Sequence, residues 1–290
     1  MGFLSIVCVL TLVQWWGSGG PLQQDGPFMQ WAKWVATFSA SALVQLGLLV
    51  FLPVLVLLAV CLVVYQHLSP LLLLLINVPV LLYALGRGRL DALVQDYRDA
   101  WQDQDKGAAC EAVDALRLDG EYSCQTDGQW QGVHAEAFQA VSYRGFERMF
   151  SVLFWFAILG APGALLYRLA AQSARSEALP QGSRSLSYRL LWILEWPVAR
   201  VYYLSVAIVG DFVACAERWR VLGLCMKSPT PMVVEAFNRG ALGLDGALVR
   251  ELAAGDLAAL KEIDQLVSLM SRAMILWVCV AAVIALLLGG

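Results

Sequence analysis

Ionisable side chains set into or beside long apolar runs are where this chain could do chemistry, because each would be costly if left facing hydrocarbon. Arg144, Glu147 and Arg148 stand at i+3 and i+4 spacing just before an uncharged stretch, and Glu195 and Arg200 sit inside a second, mostly apolar one. Guanidinium and carboxylate groups at that depth suit the binding of an anionic ligand or of a protein partner; the plain alternative is that they pair with one another. Between the two groups, Gly160, Pro162 and Gly163 interrupt the uncharged stretch. Pro162 removes a backbone donor and the glycines allow a neighbour close approach, so these three complete the candidate binding set; a tight helix-packing seam is the alternative. None of the eight is assigned a catalytic role.

Other chemistries find less support. His67 and His134 lie far apart without carboxylate or cysteine neighbours at ligand spacing, so neither a metal nor a cofactor is expected. The seven cysteines form no Cys-x-x-Cys pair and read as small hydrophobes, with only Cys110 and Cys124 sharing a polar segment, where a disulfide would need an oxidising compartment. A net charge of −3 with no basic stripe gives no sign of nucleic acid. Asp91, Asp96, Asp99 and Asp103 fall off the apolar stripe of one helix and read as its solvated face.

The elements that must hold these residues are set by composition. With 59% hydrophobic and 15% charged residues and a mean hydropathy of +0.65, the chain reads as an integral membrane protein. The expected fold is all-α: a polytopic membrane helix bundle with short amphipathic and soluble helices, forming one unit over 1–290. Spans are expected at about 43–65, 71–85, 149–167 and 274–288, with a kinked or half-embedded helix at 190–212 and soluble helical segments at 88–146 and 216–270. The first sixteen residues read as a retained, short membrane-associated helix, since no Lys or Arg precedes Lys33.

Leu90, Leu93, Val94, Tyr97 and Trp101 repeat at helical spacing, as do Leu257, Leu260, Ile263 and Val267, the latter behind Asp256 as a cap. Pro162 is expected to kink or break the 149–167 span. On the 190–212 helix, Arg200 and Asp211 are expected on one face, with Arg189 and Arg218 extending that stripe and Glu195 pointing elsewhere. The stripe should turn toward the protein interior, forming a pocket with the broken span. Arg87 and Arg89 favour a cytoplasmic start for the first polar segment, although the basic connector after Arg168 competes for that side.

Two adjacent spans, then Gly86-Arg87-Gly88-Arg89-Leu90, then Leu153-Phe154-Trp155 with Leu159-Gly160-Ala161-Pro162-Gly163-Ala164-Leu165-Leu166-Tyr167-Arg168, then Trp196-Pro197-Val198-Ala199-Arg200, follow one another in this chain. In order and spacing they resemble the AmpE family, over essentially the whole length. AmpE proteins are in turn similar to the CobD/CbiB cobalamin-biosynthesis proteins, which have comparable Pro-Leu-Phe-Trp, Gly-Gly-x-Pro-Gly-Ala and Pro-Ala-Arg landmarks.

The resemblance implies two functions. An AmpE-type protein of the cytoplasmic membrane modulates β-lactamase induction linked to cell-wall recycling, through a small anionic cell-wall-derived ligand or a protein partner, in contact with lipid and as a homo-oligomer in one arrangement. A CobD/CbiB-type synthase instead activates a carboxylate with ATP and forms an amide. Its acidic motifs lack counterparts here: Ser142-Tyr143-Arg144-Gly145-Phe146 replaces one, and Ala170-Ala171-Gln172-Ser173-Ala174-Arg175 another. The regulator is therefore the leading expectation and the synthase its alternative. A cell-wall-fragment transporter, suggested by the broken helix alone, stands third.

Overall fold

The computed structural model describes residues 8, 9, 11, 26–38, 41–67, 70–85, 90–117, 124, 129–244 and 256–289. Most of the expected N-terminal helix, the tip of the first hairpin turn and the Gly86–Arg89 motif lie outside them. Among the described residues the chain is helical and holds no strand, so the protein is all-α. Among the described residues, four stretches are long and apolar enough to cross a bilayer: Ala42–His67, Leu72–Gln102, Gln181–Val209 and Leu257–Leu287.

The chain divides into two compact units. The first contains α1 (Gly26–Ala36), α2 (Ala42–His67), α3 (Pro70–Leu85), α7 (Val152–Leu159), α8 (Ala161–Arg175) and the start of α9 (Gln181–Val209). Its core joins Phe28, Ala32 and Val35 of α1 to Leu46, Leu49 and Val50 of α2, and to Leu169 and Leu179 beyond. Ser41 caps α2 by accepting from the Val44 N–H. A π-turn over Gly47–Phe51 interrupts the α geometry of that helix. From Leu52 to His67 α2 buries no side chain although it is almost wholly apolar, with Leu55 59% exposed. Such a surface is untenable in water and ordinary against lipid. Buried Gln45 is satisfied on both sides of its amide, donating to the Phe38 carbonyl and accepting from the Ser183 hydroxyl at 2.6 Å.

The second unit contains α4 (Leu90–Gln102), α5 (Lys106–Leu116), α6 (Trp130–Gly145), the rest of α9, α10 (Phe212–Leu222), α11 (Thr230–Ala241) and α12 (Leu257–Gly289) up to Val280. The stripe read on α4 is the buried one: Val94, Tyr97 and Trp101 are inside while Asp91, Asp96, Asp99 and Asp103 are exposed. Asp105, Asp211 and Asp256 cap α5, α10 and α12 with their carboxylates on backbone N–H groups. Cys110 and Cys124 form a disulfide, with Cα atoms 5.2 Å apart, and Cys8 and Cys279 are exposed, so only part of the cysteine set behaves as small core hydrophobes.

The expected break of the 149–167 run is present, and two other local readings are corrected. The 149–167 run breaks at Gly160, two residues before the proline, because Pro162 fits the first turn of α8, where its missing N–H is no loss. The helix expected at 190–212 is the continuous, 29-residue α9, which accommodates Pro197 internally. It ends at Val209, so Asp211 belongs to the cap of the next helix and Arg189 is exposed; the Arg189–Arg200–Asp211–Arg218 stripe does not exist as one face. Glu195, placed off that stripe, is buried.

Candidate functional site

The eight residues singled out from sequence are distributed over both units. In the first, α7 ends and α8 begins at a single residue. The Gly160 N–H closes α7 on the Phe156 carbonyl at 2.8 Å, and its own carbonyl accepts from the Gly163 and Ala164 N–H groups to start α8. That double duty needs φ +68° and ψ −154°, a backbone region open essentially to glycine alone. Gly163 is fixed by space: a Cβ there would strike the Trp155 carbonyl and come within 2.7 Å of the Leu159 Cβ. Ala161, Pro162, Gly163 and Ala164 are buried, whereas Ile158 and Leu159 are exposed.

Close to this junction, the Trp155 indole donates to the Leu194 carbonyl at 3.2 Å, and the buried Tyr167 hydroxyl donates to Glu195 Oε1 at 3.0 Å. Glu195 is 2% exposed, so its carboxylate depends on such donors; an unpaired charge at that burial costs several kcal/mol, on the order of 3–5. Arg148, half-buried, stands in the π-turn Phe146–Ser151 that leads into α7.

In the second unit Arg144 donates to the Ala115 and Leu116 carbonyls at 2.7 and 3.1 Å, so its cation sits on the C-terminal end of α5, where the helix dipole favours it. Glu147 is buried in the π-turn. The extra residue of that turn rotates the chain between Arg144 and Arg148, so a uniform 100° step does not describe the face they were expected to share.

Arg200 is the most elaborated of the set. Its guanidinium lies 4.3 Å from the Trp196 ring and donates to three carbonyls, those of Trp196, Gly223 and Cys225, at 2.8–3.0 Å. It thereby ties the link after α10 to α9. On the same link the Cys225 thiol lies 3.3 Å from the Ser228 hydroxyl. That hydrogen bond, those from the Lys227 and Ser228 backbone and, last, the charge of Arg200 lower the thiol to about 7.

Sequence reasoning missed two buried polar groupings. His134 is flanked by Tyr97, whose hydroxyl is 3.2 Å from Nδ1, and by Glu262, whose Oε2 is 3.1 Å from Nε2. The partner carboxylate arrives from 128 residues away, beyond any local spacing rule. Arg239, 5% exposed, pairs with Glu235 at 2.9 Å and lies over the Phe138 ring, while Gln139 donates to the second Glu235 oxygen. The i+4 spacing of Glu235 and Arg239 was the available signal for this one.

Comparison with known proteins points in one direction. Over 173 residues, 54% of this chain and 55% of the relative, the chain is 30% identical to the cobalamin biosynthesis protein CobD of Chromobacterium violaceum. Over 129 residues, 41% of each chain, it is 33% identical to the protein of the same name from Stutzerimonas stutzeri. The chain thus spans about half the length of the curated relatives it matches. No family model matches it, and no solved structure does.

Proposed function

We propose that this chain is a membrane-embedded protein of the CobD kind that acts in corrinoid biosynthesis, the amide-forming synthase being a better account than the AmpE-type regulator expected first. The observation that carries this reading is the identity of 30% and 33% to two proteins named for cobalamin biosynthesis; neither relative carries the AmpE name. Four apolar stretches agree with a protein working at a membrane, for which we propose the cytoplasmic one.

A synthase that activates a carboxylate with ATP implies a metal–nucleotide complex held by acidic groups. The residues present do not fit that requirement in its usual form: among the described residues no three of His, Cys, Asp and Glu come together as a metal ion would need. No step is therefore assigned through a nucleotide. The chain's contribution is binding and positioning, with buried Glu195 and Tyr167 in one unit and the Trp196–Arg200 stack in the other as the ordered polar groups nearest the shared landmarks.

Complementation tests the proposal. In a bacterium deleted for its own CobD, this chain should restore growth that depends on converting an early corrinoid precursor; no growth while the chain is present in the membrane would overturn it. The missing acidic cluster keeps one second reading in view, the regulator. It predicts that Glu147→Ala and Arg200→Ala alter inducible β-lactamase expression, and wild-type induction in both variants removes it.

A further inference from the structure

The second unit contains an open, surface-facing cavity of about 530 Å³ that none of the residues discussed so far as functional lines. Its walls are the end of α9 with Val209 and Gly210, the end of α11 with Ala241 and Leu242, and one face of α12 carrying Asp264, Gln265, Ser268 and Arg272. The volume suits a small polar group.

Charge and hydrogen bonding narrow what that group is. The two helix ends would disfavour an anion through their carbonyls, and Arg272 offsets that potential: Val209 O accepts from Arg272 Nη1 at 3.0 Å, while Ala241 O accepts from the Asp211 N–H at 2.8 Å. Asp264 is ion-paired with Arg98. The donors that the walls present are the other N–H groups of Arg272, the Ser268 hydroxyl and the Gln265 amide, all exposed and on successive turns of α12. The rest of that guanidinium, with neutral donors beside it, matches a phosphate oxygen pair.

The position matches a lipid. Arg272 is the last charged residue of the chain, and the uncharged remainder of α12 begins with the next residue. Ile208 and Ile275, in sequence beside the cavity walls, are 65% and 63% exposed, and Phe212 and Val213, just past Gly210, are 60% and 71% exposed. An open cavity with one polar wall, edged by exposed apolar side chains at the head of a membrane helix, suits the level of phospholipid headgroups.

We propose that this cavity binds the headgroup of an anionic phospholipid, with the phosphodiester on Arg272, Ser268 and Gln265 and the acyl chains along the apolar rim. The proposal is independent of the corrinoid reading.

The test uses the purified full chain, delipidated in detergent and titrated in mixed micelles with phosphatidylglycerol or with phosphatidylcholine of the same acyl chains, read by native mass spectrometry. The expected result is a single phosphatidylglycerol adduct about tenfold tighter than the phosphatidylcholine one, because both lipids bring the same phosphodiester and only choline adds a cation that Arg272 repels. Arg272→Ala and Ser268→Asp should each abolish that preference, and Arg272→Lys should keep part of it, retaining charge without the fork. Equal adducts with both lipids, or an undiminished preference in Ser268→Asp, overturns the proposal. Displacement of the lipid by millimolar inorganic phosphate also overturns it, assigning the cavity to a free anion. Ser268→Asp decides the matter if Arg272→Ala fails to fold.

Discussion

At Gly160 a single backbone conformation ends one helix and starts the next, so substitution there should be felt before any contact is lost. Gly160→Ala is expected to destabilise the protein by about 1–3 kcal/mol, the cost of forcing a side chain into that region, and thermal unfolding in detergent measures it. Cys225 offers a chemical test at the same scale. Its lowered thiol should alkylate with a midpoint near pH 7, while buried Cys215 stays unreactive; mass spectrometry of iodoacetamide adducts across pH checks both. The sign for stability follows. A thiol that ionises lower when folded adds nothing below about pH 7, contributes increasingly through the ordinary thiol range and fully above it. Gly160 and Pro162 were legible as an interruption because their backbone limits are intrinsic. That the break falls on the glycine depended on which residue could occupy the one helical first turn that tolerates proline.

Within each unit, buried polar groups add specific links between elements to the apolar packing. Tyr97 of α4, His134 of α6 and Glu262 of α12 form one chain of hydrogen bonds, with the Trp101 ring tilted beside the imidazole and donating to the Asp256 carbonyl. Removing the middle member, itself only 3% exposed, takes a hydrogen-bond partner from both neighbours. His134→Ala is therefore expected to cost roughly 2–4 kcal/mol, against well under that for His67→Ala on the exposed end of α2; chemical denaturation of both variants compares them. Tyr167→Phe, which deprives Glu195 of one donor, should cost about 1–3 kcal/mol in the same assay. The apolar face of α4 was readable because 3.6-residue periodicity is local. The partners of His134 and Glu195 were not, since the first lies 128 residues away and the second belongs to a helix whose internal proline made face assignment unsafe.

For the molecule as a whole, the disulfide is a covalent constraint on the polar part of the second unit. Cys110 and Cys124 close a loop with a sequence separation of 14, and a loop of that size contributes about 3 kcal/mol by restricting the unfolded chain. Reductant should lower the unfolding midpoint of the wild type and leave a Cys110→Ala/Cys124→Ala variant unchanged. An equal response of both proteins would show that the bond does not operate in solution.

Composition and hydropathy alone determined that the chain is helical and resides in a membrane, because lipid leaves the backbone no other way to satisfy its hydrogen bonds over such apolar lengths. They also located the interruption near Pro162 and the capping role of Asp256. Folding decided the rest: that Glu147 and Glu195 are buried, that Arg144 and Arg200 point their charge at backbone carbonyls, and that Gln265, Ser268 and Arg272 line one open cavity. Those outcomes come from groups far apart in the chain competing for the same few partners, and no local pattern records who wins.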